Sequence, residues 1–181
     1  MVLEYFAIEI DLRIAGNFVH NITLTNPKEA NGAVLYYLVI GNQADDHIRT
    51  RLLLVDHLLK DPTFSVLRTK EQLGYVVQSM IWYRASALGF VIRIQSERHP
   101  AYVEKRIETF LGSYRAEIAS MKIEEFMKQR KGLIDKQRQR LENLNEESSR
   151  FWYHIQSGYH DFTRRKPFNT FSDRYRDLHD L

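Results

Sequence analysis

Cysteine is absent from this chain of 181 residues. Without Cys the protein has no disulfide, no thiolate metal ligand and no thiol nucleophile. Small secreted scaffolds depend on disulfides, whereas intracellular proteins rarely contain them. The absence therefore favours a reducing compartment, and we expect a cytoplasmic location.

Long apolar runs are lacking as well. A helix that spans a membrane needs roughly 18 or more consecutive apolar residues, and every apolar run in this sequence is much shorter. The sequence thus predicts no membrane-spanning helix, and we expect no membrane partner.

The short sequence signatures of catalysis are missing too. The chain has no Gly-rich phosphate loop and no G-x-S-x-G nucleophile motif. Its seven His residues do not show the spacing of metal ligands. His47 and His57 would lie about 280° apart around a helix, and His154 and His160 about 240° apart. We therefore predict no catalytic residue and no metal ligand in this chain.

The composition that remains is that of a folded, water-facing protein. Apolar residues make up 44% and charged residues 27% of the chain, a balance that excludes a disordered tail. The length fits one domain. We interpret residues 1–16 as an uncertain N-terminal segment or a preceding linker, and residues 17–181 as a single α+β domain, open to truncation at its C-terminus.

Strand-like patterns dominate the first half of the chain. Weak alternation predicts strands from Tyr5 to Leu12 and from Phe18 to Leu24. The continuous apolar run Ala33 to Ile40 predicts a strand buried on both faces, central in a sheet. Strands from Tyr75 to Trp82 and from Leu88 to Ser96 should form an antiparallel hairpin.

Helical patterns fill most of the rest. A helix should begin at Asp45 or Asp46 and end near Pro62. Pro62 should open a short second helix with Phe64 and Leu67 on one face. Further helices are predicted over Tyr102 to Ile118, Ile123 to Leu141 and Glu146 to Tyr159. Strands followed by helices indicate an α+β fold, an antiparallel or mixed sheet covered by helices.

Basic residues are concentrated from Lys128 to Arg140. Such a stretch could bind nucleic acid or an acidic partner. The interleaved Leu133, Ile134 and Leu141 favour a structural helix whose apolar side faces the core and whose basic side faces solvent. Nucleic acid is therefore disfavoured as a partner, although this alternative stays open.

One segment combines side chains that suit peptide binding. The predicted short helix, which carries Arg68, leaves through Gly74 into the strand that starts at Tyr75. Arg68 and Tyr75 should meet at this place, which we call the Arg–Tyr corner. A guanidinium and a phenol would offer hydrogen-bond donors to peptide carbonyl oxygens. In the alternative interpretation, Arg68 pairs with a carboxylate and Tyr75 fills the edge of the core.

The same segment carries a resemblance to a known family. Residues 67–75 read L-R-T-K-E-Q-L-G-Y, which resembles the fourth-domain motif of the insulysin and pitrilysin family of zinc metallopeptidases, the family of insulin-degrading enzyme. The similarity continues through Gln95-Ser96-Glu97, Pro100, Tyr102, Glu104, Arg106 and Phe110, and more loosely to Trp152.

The resemblance implies a role for this chain. In that family two similar halves enclose a peptide, and the zinc motif H-x-x-E-H lies in the first domain; no H-x-x-E-H occurs in this sequence. The second half is catalytically silent, and its Arg and Tyr bind the substrate backbone beside the scissile bond. By resemblance these residues are Arg68 and Tyr75. The resemblance implies no cofactor in this chain and zinc in the first domain of the parent enzyme.

Three hypotheses follow. The leading one is a non-catalytic substrate-binding domain of an insulysin-like zinc metalloendopeptidase, inactive alone because it lacks H-x-x-E-H. Its partners would be a peptide substrate, the remaining domains of the parent peptidase and, as an open alternative, a second copy of the parent in a homodimer. The second is a non-catalytic assembly or interaction module of the same superfamily. The third is a nucleic-acid binder built on the basic helix.

Overall fold

The computed structural model describes residues 16, 18–26, 28–84, 87–138, 143–156 and 162. The predicted strand from Tyr5 to Leu12 lies outside these residues, as do Leu141 and the predicted end of the last helix at Tyr159. The elements in chain order are β1 (Gly32–Asn42), α1 (Asp46–Pro62), a π-helix (Thr63–Lys70), β2 (Val76–Arg84), β3 (Ala87–Ser96), α2 (Pro100–Ala119), α3 (Ile123–Arg138) and α4 (Leu144–Gln156).

The three strands form one antiparallel sheet in the order β1-β3-β2. This arrangement confirms the α+β class and the predicted hairpin of β2 and β3. Alternate residues of each strand point toward the helices, as the twofold period of a strand requires. The resulting core joins inner-face residues of the sheet to residues of α1, the π-helix and α2, and includes Leu52, Leu59, Leu67, Phe90, Ile92, Ile94, Val103, Ile107 and Phe110.

The prediction that β1 is central and buried on both faces is wrong. β1 lies at the edge of the described sheet, with Leu35 and Val39 exposed on its outer face. The central strand is β3, whose Val91 and Ile92 are fully buried on opposite faces. Tyr37, on the same outer face of β1, covers part of β3. The Tyr37 ring lies so close over Gly89 that a Cβ there would be 2.0 Å from it.

The predicted strand from Phe18 to Leu24 is also wrong. These residues adopt no regular secondary structure, and Phe18, Val19, Ile22 and Leu24 are all more than half exposed. Alternation of apolar and polar residues produces a strand only when a neighbouring strand supplies hydrogen bonds and a buried face. Within the described part of the chain, no strand pairs with residues 18–24.

The predicted first helix is confirmed, including its cap. Asp45 precedes α1, and its Oδ1 accepts hydrogen bonds from the N–H groups of His47 (2.8 Å) and Ile48 (3.1 Å). Pro62 is the last residue of α1 and also the N-cap of the helix that follows, so the two helices are continuous. Since Pro has no N–H, the carbonyl of Leu58 loses its helical donor. The Tyr114 hydroxyl of α2 donates to that carbonyl at 3.0 Å and so joins the two helices.

The short helix after Pro62 is a π-helix, which the sequence pattern did not predict. Its widened turn is closed by the Glu71 N–H, which donates to the Val66 carbonyl five residues earlier at 2.9 Å. Leu67 is fully buried in this turn, whereas Phe64 is 55% exposed. The expectation that both side chains share one face is therefore wrong, because it assumed the narrower turn of an α-helix.

The basic stretch lies mainly on α3, as predicted. Leu133 is buried and Ile134 is partly buried, while Lys128 and Lys136 are exposed. The described part of this stretch is thus a helix with one apolar side in the domain and basic groups in water. No helix of the described residues has both the length and the apolar content to cross a membrane.

Candidate functional site

The structure brings Arg68 and Tyr75 together. The guanidinium carbon of Arg68 lies 5.7 Å from the centroid of the Tyr75 ring, within the range of a cation–π interaction. Tyr75 directly precedes β2 and is 82% exposed, whereas Arg68 is partly buried near the end of the π-helix. The Arg–Tyr corner predicted from the sequence therefore exists, and its phenol faces solvent.

The alternative roles considered for these two residues do not fit the structure. Tyr75 is too exposed to fill the edge of the core. No carboxylate among the described residues forms an ion pair with Arg68. The guanidinium therefore keeps N–H donors for a ligand, and the neighbouring ring limits the directions in which it can point.

The chain turns sharply between the π-helix and β2. Gln72 adopts a φ of 49°, the left-handed region that side chains other than Gly rarely occupy. The Leu73 N–H donates to the Leu67 carbonyl at 3.0 Å, and the Leu73 side chain is buried. The buried Leu73 and its hydrogen bond hold the turn in place, so that Tyr75 emerges beside Arg68.

Gly74 and Ser96 connect this turn to β3. A Cβ at Gly74 would lie 1.9 Å from the Gln95 carbonyl oxygen, so only Gly permits this close approach. The buried Ser96 hydroxyl donates to the Leu73 carbonyl and accepts the Arg98 N–H at 3.0 Å. The close approach of Gly74 to Gln95 and the hydrogen bond from Ser96 to Leu73 fix the start of β2 relative to the end of β3.

A further pair at the corner was not predicted as a site. Arg106 of α2 donates from Nε and Nη2 to the two carboxylate oxygens of Glu71, both at 2.7 Å. These hydrogen bonds and the charge of Glu71 raise the pKa of Arg106 above its ordinary value. Both residues belong to the sequence resemblance, but residues that lie 35 positions apart give no periodic signal of their contact.

The chemistry of the corner is that of hydrogen-bond donation. A guanidinium offers only donors, and a phenol offers one donor and an acceptor. Carbonyl oxygens and anions are the groups that such donors bind. Neither side chain suits zinc, and no group of three His, Asp or Glu within the described residues could hold a metal ion. Arg68 and Tyr75 thus offer hydrogen-bond donors at the protein surface and no metal-binding group.

Comparison with known proteins defines the class. Residues 54–152 match the family model of the PQQ synthase PqqF-like C-terminal lobe domain 4. The solved structure of pitrilysin superposes on 78% of this chain and 15% of its own chain, with a TM-score of 0.64 at 23% identity. The fold is thus that of a pitrilysin-like domain.

Curated relatives agree with this class. The chain is 38% identical to a candidate zinc protease, mug138, of Schizosaccharomyces pombe, over 82% of this chain and 15% of that protein. It is 37% identical to the insulin-degrading enzyme of Drosophila melanogaster, over 72% of this chain and 13% of the enzyme. The chain spans about a seventh of the length of these relatives. It belongs to the PqqF-like C-terminal lobe domain 4 family, among the insulysin- and pitrilysin-type peptidase domains.

Proposed function

We propose that this domain binds the peptide substrate of a larger insulysin-type zinc metalloendopeptidase, with Arg68 and Tyr75 holding the peptide backbone near the scissile bond. The observation that carries the proposal is the Arg–Tyr corner itself, an exposed phenol 5.7 Å from a guanidinium that has no carboxylate partner among the described residues. The family relationship supports it, because relatives are named as insulin-degrading enzymes.

The proposal assigns the hydrolytic centre to other domains of the parent protein. Zinc in the first domain would supply the chemistry of peptide hydrolysis. Residues of this chain would orient the peptide and donate to carbonyl oxygens as negative charge develops on them. The cytoplasmic location and a homodimer of the parent stay predictions.

The magnitude of such a contact can be estimated. Removing one preorganised donor to a developing oxyanion costs about 2.7–4 kcal/mol of transition-state stabilisation, a hundred- to a thousandfold in kcat. A donor that binds the substrate equally well before and during the reaction changes KM instead. A single hydroxyl deletion therefore distinguishes the two roles.

Tyr75→Phe in the full-length parent protein provides this test. The change keeps the ring over Arg68 and removes only the hydroxyl. If the phenol donates in the transition state, we expect kcat and kcat/KM to fall together by about a hundredfold. Arg68→Ala should also lower kcat/KM. Peptide cleavage rates over a range of substrate concentrations, normalised to folded protein, provide the measurement.

A second Arg–Tyr pair provides the matched control. The Arg98 guanidinium carbon lies 5.4 Å from the Tyr102 ring, which is 46% exposed. Tyr102→Phe and Arg98→Ala remove the same groups outside the Arg–Tyr corner and should leave the kinetics unchanged. Normal kinetics in well-folded Tyr75→Phe and Arg68→Ala proteins would show that the corner is scaffold, and the proposed function would fail.

A further inference from the structure

The two residues of the Arg–Tyr corner belong to different elements. Arg68 lies in the π-helix, and Tyr75 directly precedes β2. Their relative position therefore depends on the segment from Thr69 to Gly74 that joins the elements. Any contact that fixes this segment also fixes the distance between the guanidinium and the phenol.

The contacts of this segment differ in what they join. The hydrogen bonds from Glu71 N–H to the Val66 carbonyl and from Leu73 N–H to the Leu67 carbonyl tie the segment to its own helix. Ser96 ties it to the end of β3. The Glu71 carboxylate ties it to α2, through Arg106.

The geometry of the contact to α2 restricts rotation as well as distance. Two parallel N–H···O bonds of 2.7 Å join a planar guanidinium to a planar carboxylate, so the pair fixes orientation in a way that a single bond or a Lys would not. Both side chains remain partly exposed, at 34% for Arg106 and 21% for Glu71. Partly exposed ion pairs contribute little to global stability, whereas small displacements of binding groups reduce reaction rates strongly.

We propose that Glu71 and Arg106 form a positioning pair that holds the turn after the π-helix and thereby sets Arg68 and Tyr75 in their productive arrangement. The proposal rests on the proposed function of the corner. Neither member of the pair touches the substrate; both act through Arg68 and Tyr75.

The first test measures activity in the full-length parent protein. Arg106→Gln removes the positive charge and the paired N–H donors that bind Glu71, while it keeps a polar side chain. We expect kcat/KM per folded molecule to fall about ten- to a hundredfold, with a midpoint of thermal unfolding close to that of the wild type. Lys105→Gln removes an exposed positive charge from the adjacent position of α2 and should leave both quantities unchanged.

The second test measures coupling. If Arg106 acts through the corner, Arg106→Gln should cause no further loss in a protein that already carries Arg68→Ala and Tyr75→Phe. If Arg106→Gln instead lowered kcat/KM by the same factor with and without the Arg68 and Tyr75 substitutions, Arg106 would act independently of the corner. That result would overturn the proposal.

The third test does not depend on activity. Amide hydrogen exchange of residues 71–75, followed by mass spectrometry, should become faster in Arg106→Gln and in Glu71→Gln but not in Lys105→Gln. Unchanged exchange there would overturn the proposal even if activity falls. Impaired corner variants together with a normal Arg106→Gln protein would refute the positioning pair alone. Normal corner variants would instead refute the proposed function on which it rests.

Discussion

At the scale of single residues, the Arg–Tyr corner depends on a glycine, Gly74. The turn after the π-helix brings Gly74 against the backbone of β3, where a Cβ would overlap the Gln95 carbonyl oxygen. Backbone atoms of a central strand cannot move aside as a flexible side chain can. Gly74 is thus required by the approach of the turn to the sheet.

Gly74→Ala tests this requirement, and Gly112→Ala is its matched control. We expect Gly74→Ala to lower the free energy of unfolding by about 1–3 kcal/mol, the usual effect of overpacking a tight site. A Cβ at Gly112, inside α2, meets no atom within 4 Å, so Gly112→Ala should raise stability by about 0.5–1 kcal/mol. Denaturant unfolding of both variants gives the comparison. Equal effects of the two substitutions would contradict the steric argument.

The position of Arg68 and Tyr75 could be predicted from the sequence because its signals are local. A helical pattern, a Gly and a strand pattern within a dozen residues define where the chain turns. The contact of Glu71 with Arg106 could not be predicted in this way, since its residues lie on elements that meet only in the folded domain. The hydrogen bond from Ser96 to the Leu73 carbonyl could not be predicted for the same reason.

At the scale of elements, the sequence predicted most helices and the hairpin but assigned the central strand wrongly. Both β1 and β3 carry continuous apolar residues, so periodicity cannot distinguish the edge strand from the central one. β3 is central because it pairs with β1 on one side and with β2 on the other. The Tyr37 and Trp82 rings, which lie 6.0 Å apart, are on the outer face of the sheet. These large side chains shield β3 without a second layer of helices in the described residues.

The packing of α1 against α3 places a carboxylate in an unfavourable position. Asp56 of α1 is partly buried, and its Oδ1 has no hydrogen-bond partner among the described residues. Burial raises the pKa of Asp56, while Lys60, Lys136 and His57 partly offset this rise. A raised pKa in the folded state means that protonated Asp56 favours folding. The stabilisation that the protonated carboxyl gives the folded state is complete below the pKa of Asp56 in the unfolded chain. It is lost as pH rises through the higher pKa of the folded state.

Asp56→Asn should remove this pH dependence. Relative to the wild type, the variant should gain stability between pH 3.5 and pH 7, by less than about 1 kcal/mol because Asp56 is only partly buried and water screens it. Denaturant unfolding at both pH values provides the measurement. Asp135→Asn, which removes an exposed carboxylate of α3, is the control and should show no such gain. If Asp56→Asn instead lost stability relative to the wild type between pH 3.5 and pH 7, a raised pKa of Asp56 in the folded state would be contradicted.

At the scale of the whole molecule, the described residues bring hydrogen-bond donors together at the Arg–Tyr corner and contain no group of three His, Asp or Glu that could hold a metal ion. A hydrolytic centre needs an activated water or nucleophile and a general base within reach of it. The sequence contains neither Cys nor an H-x-x-E-H motif. The Arg–Tyr corner offers a guanidinium and a phenol. The charged groups of Glu71 and Arg106 bind each other. These features agree with the proposal that the domain forms one side of a larger substrate-binding site.

The chain alone should therefore hold no stoichiometric zinc and should not cleave peptides. Zinc sites in peptidases use at least three convergent His, Asp or Glu ligands, and the described residues bring no such group together. Metal analysis after dialysis of the purified chain should find far less than one zinc per molecule, and a quenched fluorescent peptide should stay intact. The full-length parent, treated in the same way, is the control and should retain about one zinc, as a catalytic site requires. One tightly held zinc in the isolated chain, or cleavage that persists through further purification, would place a hydrolytic centre in this domain and contradict its assignment as a binding domain.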